Sequence, residues 1–377
     1  MGSLPSLPRP ATPPPLTGLD VSSYRVYASF CMREPTSDAS ISNWIECYDP
    51  CGNTWTQVTS IPGIIDQHVL KGFAMVSVGD WLYVIGGQLC RKEMAHVSDE
   101  LADLVDVKGE VLSSVWCYNV RTDHWSKCAA LRMPRSDFAC TVCDGKIYVA
   151  GGQSPQCSAR GISSTEVYDP ALDEWTSLPN MNTVRYKCVG VTWQGKIHVV
   201  GGFAERLDSD RALPFMVERS SAEVYDPRTG RWELMAKMWQ LDVPPNQIVP
   251  VEGRLFSSGD CLKAWKGHIE AYDDKLNIWN VVRGSHLRTL SLPIASTSNG
   301  HDSENSPQVQ QLYLTMAHIR THLYFLAGYR TQESPKTVSM VHVFDTSATS
   351  NGWKSFEPIL EDVEKELCSH CCVVQLL

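Results

Sequence analysis

Short apolar runs recur along the chain, each closed by two small residues: Val84-Ile85-Gly86-Gly87, Val149-Ala150-Gly151-Gly152 and Val199-Val200-Gly201-Gly202. Weaker versions end in Ser258-Gly259 and Ala327-Gly328. Runs this short, bounded by turn residues, predict buried strands rather than helices. Aromatic pairs mark a second set of strands. Tyr48/Trp55, Tyr118/Trp125, Tyr168/Trp175, Tyr225/Trp232 and Tyr272/Trp279 are each seven residues apart, and Phe344/Trp353 is stretched to nine. Three pairs share the turn Tyr-Asp-Pro, at Tyr48-Asp49-Pro50, Tyr168-Asp169-Pro170 and Tyr225-Asp226-Pro227, which predicts a tight connection between a third and a fourth strand.

One such unit is a four-stranded sheet with two apolar faces, which it cannot bury alone. Radial stacking buries each face against a neighbour and leaves only short edges. Six aromatic pairs therefore predict an all-β, six-bladed propeller, with units at 21–58 plus 368–377, then 70–131, 137–181, 186–238, 246–283 and 310–358. The first unit has no innermost strand of its own, and the last apolar stretch, 370–377, has no unit left to join. Pairing the two closes the ring and removes an open, aggregation-prone edge. Residues 1–20 contain six prolines and are expected to form a disordered arm ahead of the propeller at 21–377.

Three stretches break the period: 88–113, 203–219 and 285–311. The first holds an acidic run from Ser98 to Val105 that predicts a short helix, and the third is rich in Ser and Asn and predicts a disordered loop. The second carries Arg206, Asp208, Asp210, Arg211 and Arg219. In a propeller sheet the second-to-third and fourth-to-first connections emerge on one side, so all three enlarge the same face. Loops on a rigid scaffold commonly carry binding, which makes that face the candidate functional one.

Composition narrows the function classes. A formal net charge of -9 and a pI near 5.7 argue against nucleic-acid or anionic-membrane binding through bulk charge. No apolar run is long enough to span a membrane, and no charged-then-apolar leader opens the chain, so a cytoplasmic or nuclear monomer is expected. The opening Met1-Gly2-Ser3-Leu4-Pro5-Ser6 fits the loose myristoylation pattern. Fourteen cysteines are read as reduced thiols; Cys140, Cys143, Cys188, Cys371 and Cys372 fall inside predicted strands as small hydrophobes.

The Gly-Gly ends and spaced aromatic pairs resemble kelch repeats over nearly the whole chain, most closely those of plant F-box/kelch-repeat proteins. The Pro-rich start cannot supply an F-box and no BTB segment is present, so the family's route to a ubiquitin ligase is missing from this reading. The resemblance implies a binding module that docks a protein segment or small acidic ligand through arginines ahead of the innermost strands. The matching segments are Met133-Pro134-Arg135-Ser136-Asp137-Phe138 and Met181-Asn182-Thr183-Val184-Arg185-Tyr186. An Arg fork pairs carboxylate or phosphate bidentately. With Lys71, Trp239 and Gln247, the residues Arg135, Phe138, Arg185 and Tyr186 are the candidate ligand-binding set. The rival reading is a small-molecule enzyme of plant specialised metabolism. Asp66 and His68 form its candidate acid/base pair. Asp362, Glu366 and His370, four apart as on one helical face, resemble the iron motif of kelch-type specifier proteins with its acids reversed. No resident cofactor is expected outside that reading, under which a divalent ion such as iron would bind.

Overall fold

The computed structural model describes residues 21–33, 42–94, 104–155, 161–205, 219–241, 243–261, 265, 267–285, 287, 309–331, 334–348 and 352–376. The expectations placed on 1–20, 206–218 and 288–308 lie outside these residues. The architecture is all-β, built from antiparallel sheets.

Six larger sheets repeat one plan. From inside to outside, the first is Lys365–Gln375, Tyr24–Met32, Trp44–Asp49 and Thr54–Ser60. The second is Ala74–Val78, Trp81–Ile85, Val115–Asn119 and His124–Cys128, and the third Ala139–Cys143, Lys146–Ala150, Thr165–Asp169 and Glu174–Leu178. The fourth is Val189–Trp193, Lys196–Val200, Ala222–Asp226 and Arg231–Met235. The fifth is Ile248–Val251, Arg254–Ser257, Glu270–Asp273 and Ile278–Val281. The sixth is Val309–Ile319, His322–Thr331, Ser334–Asp345 and Trp353–Ser355, with Ile359–Leu360 added. The innermost strands touch in this order, and that of the sixth sheet touches Lys365–Gln375 again.

The aromatic pairs build the layers between sheets. Each Tyr or Phe stands directly opposite its Trp, with ring centroids 5.0–5.3 Å apart. The indole N–H of Trp125, Trp175, Trp232, Trp279 and Trp353 donates to the preceding sheet or its connection, at Thr59, Ala129, Pro179, Met238 and Ser285. A large apolar plate thus seals the wedge while its one polar atom is satisfied. The turn after each pair's first member rests on Asx chemistry rather than on proline. The side-chain oxygen of Asp49, Asn119, Asp169, Asp226, Asp273 or Asp345 accepts the N–H two residues on at 2.9–3.0 Å.

The glycine pairs answer a steric demand. Gly151 has φ +69°, and a Cβ there would lie 2.6 Å from the Arg185 carbonyl oxygen. Gly190 lies where two innermost strands approach, and a Cβ there would meet the Cys140 nitrogen at 2.7 Å.

The stretch 88–113 is not a plain loop. Gln88–Met94 and Leu104–Val111 form an accessory sheet with His68–Lys71, so the helix expected up to Val105 gives way to strand from Leu104; 95–103 lie outside the described residues. Alternating valines at Val105, Val107 and Val111 explain the strand.

Candidate functional site

The innermost strands surround a channel of about 1040 Å³. Its mouth on the long-connection face is built from the residues ahead of those strands and from the connection after Arg254–Ser257. Lys71, Asp137, Lys187, Asn246, Asp260 and Glu366 line it there. Lys71 Nζ lies 2.6 Å from Glu366. The Asp137 N–H donates to the Gly72 carbonyl at 2.8 Å, and the Lys187 N–H to the Asp137 carbonyl at 2.7 Å, so three successive sheets are stitched at the rim. Gly72, Asp137 and Lys187 all have φ near +50 to +60°. Lysine seldom adopts this conformation, and here the rim bonds hold it.

Arg135 and Arg185 do not face the mouth; both are fully buried. Arg135 donates to Glu166 at 2.5 Å and to the carbonyls of Gly151 and Ser164 at 2.9 and 3.0 Å. Arg185 repeats the arrangement with Ser221 Oγ at 2.6 Å, the Gly201 carbonyl at 3.0 Å and Glu223 at 3.4 Å. Their own carbonyls accept the N–H groups of Gly87 and Gly152 in the preceding sheet. Each arginine is therefore a strut between two sheets. The physical reason is the buried glutamate two residues before Tyr168 and Tyr225, Glu166 and Glu223, each of which needs a cation inside the sheet. Lys365 serves Glu46 alike at 2.7 Å, also reaching Glu361 at 2.8 Å and the Phe30 ring at 4.6 Å. In the fifth sheet Glu270 keeps the position, while Pro244 and Pro245 stand where the others carry arginine; burial raises its carboxyl and His268 Nε2 lies 3.7 Å away.

The remaining candidates separate. Trp239 is buried core, its indole donating to the Val243 carbonyl at 2.7 Å. Phe138 is likewise buried. Gln247 is locked against Thr315 and Met316 by three hydrogen bonds. Tyr186 packs on Phe203 with centroids 5.2 Å apart. Lys71 alone of the set combines a charged group with a place on the channel.

His68 Nδ1 contacts the backbone oxygen of Asp66 at 2.9 Å, not its carboxylate, and neither residue lines the channel. The Asp66 carboxylate therefore does not orient the His68 ring as the acid/base reading requires. Glu366 and His370 lie within the extended strand Lys365–Gln375, and Asp362 precedes it. Four residues of strand span roughly 13 Å, so the three cannot meet at one ion as they would on a helix. Among the described residues no three His, Cys, Asp or Glu side chains converge as a metal site. His370 does line the channel; burial holds its imidazole down at about 4, and its Nδ1 has no hydrogen-bond partner among the described residues. Burial pushes the channel thiols of Cys140 and Cys371 up to about 12 and Cys188 to about 11, so they stay protonated wall groups at neutral pH.

Asp137, Lys187 and Asp260 escaped the sequence reading. The signal for the first two was their place two residues beyond a strut arginine, legible only once the arginine is known to point inward.

The description "FKB95, Kelch-repeats domain" matches residues 58–305, and a "Kelch motif" matches 36–62. The chain belongs to the kelch-repeat family. It is 33% identical over 206 residues to the F-box/kelch-repeat protein At1g16250 of Arabidopsis thaliana, covering 54% of this chain and 48% of that protein. To F-box/kelch-repeat protein SKIP30 of the same plant it is 34% identical over 158 residues, 41% of each chain. The Kelch repeat and BTB domain-containing protein 12 of Danio rerio is 25% identical over 244 residues, 60% of this chain and 36% of that protein. The chain spans about half the length, or less, of these kelch relatives. Kelch repeats in F-box and BTB proteins point to protein interaction as the common use of the fold.

Proposed function

We propose that this kelch protein is a recognition module, a six-bladed propeller closed by Lys365–Gln375, that holds a protein segment on its long-connection face. The observation that carries the reading is the channel mouth. Lys71 with Glu366, Asp137, Lys187 and Asp260 present both signs of charge on a rim that backbone bonds hold rigid. A rigid rim spares a ligand the entropy of ordering its receptor. Opposite charges placed around one opening favour a segment of matching pattern and repel others. The relatives lend support, since their kelch repeats accompany F-box or BTB segments.

The test compares the exposed rim variant Lys187→Glu with Asp144→Lys in a turn on the opposite face. Quantitative affinity purification should show partners lost with the first and kept with the second. Reversal of one rim charge is expected to weaken binding about ten-fold. Partners unaffected by Lys187→Glu but lost with Asp144→Lys would move the binding face to the other side.

A further inference from the structure

At its far end the channel meets a second cavity of about 380 Å³, and Pro250, His318 and Val373 line both. This end is formed by the turns that follow innermost strands. In the third and fourth sheets those turns are the tight Asp144-Gly145 and Gln194-Gly195, with positive φ at both residues. In the first sheet Tyr24 and Gln375 are paired from opposite ends of the sequence, so no such turn caps them. The recess lies beside that uncapped pair, between the turn residues Glu252 of the fifth sheet and Arg320 of the sixth.

Five polar side chains line it: Tyr24, Glu252, His318, Arg320 and Gln375. Arg320 packs over the Tyr24 ring at 6.0 Å. Among the described residues none of the five has a side-chain hydrogen bond or ion pair, in contrast to the turn-side pairs Lys146 with Asp169 and Lys196 with Asp226. Arg320 and Glu252 also hold φ of +53° and +49°, a conformation that neither residue type favours. The recess therefore offers one cation, one anion and three neutral hydrogen-bonding groups around a volume suited to a small molecule.

We propose that this recess binds a small zwitterion, of which a free α-amino acid is the simplest. Arg320 and the Tyr24 hydroxyl take the carboxylate, Glu252 takes the ammonium, and His318 and Gln375 meet polar atoms of the side chain. A plain carboxylate would face Glu252 and a plain amine would face Arg320, so each is disfavoured against a ligand with both charges. This site is separate from the long-connection face and stands or falls independently of it.

Saturation-transfer NMR on the full chain at neutral pH would use L-glutamine and L-leucine as probes, with propionate and propylamine as comparators. The amino acids should bind saturably and compete with each other. Arg320→Asn and Glu252→Asn should each weaken them about ten-fold, and asparagine tolerates the positive φ, so the fold survives. Absence of saturable amino-acid binding, binding unchanged in Arg320→Asn, or propionate binding as well as the amino acids would each overturn the proposal.

Discussion

Replacing Arg135 by alanine would leave Glu166 buried, 3% exposed, with its cation gone. Stranding one member of a buried pair costs about 3–5 kcal/mol, so Arg135→Ala should lower the unfolding midpoint in urea sharply. Arg135→Lys should recover little, because an ammonium cannot reach the Gly151 and Ser164 carbonyls and Glu166 together as the fork does. A variant that binds less but melts unchanged would instead make Arg135 a ligand residue. The strut was hard to read because an arginine beside an apolar run looks alike whether it points out or in. The deciding partner, Glu166, lies 31 residues away.

Among elements, Lys365–Gln375 joins a distant strand through a register running from Met32↔Lys365 to Tyr24↔Gln375. Its Ser369 and Val373 also bond Met75 and Ser77 of the second sheet. Deleting 369–377 should abolish the main calorimetric transition rather than fray one edge, since the first sheet loses its innermost strand and the second loses the strand that Met75 and Ser77 bond. The repeated strands were legible because Gly-Gly and the aromatic pairs have a local steric cause. The accessory sheet was not, since its pairing of Gln88–Met94 with His68–Lys71 depends on tertiary packing of Leu70, Leu89 and Cys90. The supposed metal triad failed for a related reason: spacing of four signals a helix only if the backbone is helical, and Cys371-Cys372-Val373-Val374 favours strand.

At the scale of the molecule, burial keeps His198, His342 and His370 neutral, each with its pKa lowered to about 4. The unfolded chain protonates them near 6.5 while the folded protein does not. The unfolded state therefore binds more protons between these values, and stability falls as the pH drops from about 6.5 towards 4. Thermal melts across that window should show the decline, and His342→Gln should flatten part of it. The rim was the least legible part of the site, because its chemistry is assembled from separate sheets around one axis.

The bond between Lys365 and Glu46 joins residues 319 apart in sequence. On a ribosome adding about 5–20 residues per second, the first sheet would wait roughly 16–64 s for Lys365. During that interval Tyr24–Met32 emerges with an unpaired edge and a carboxylate without its cation. The nascent chain thus carries through that interval an unpaired strand edge of the kind that invites pairing with other chains.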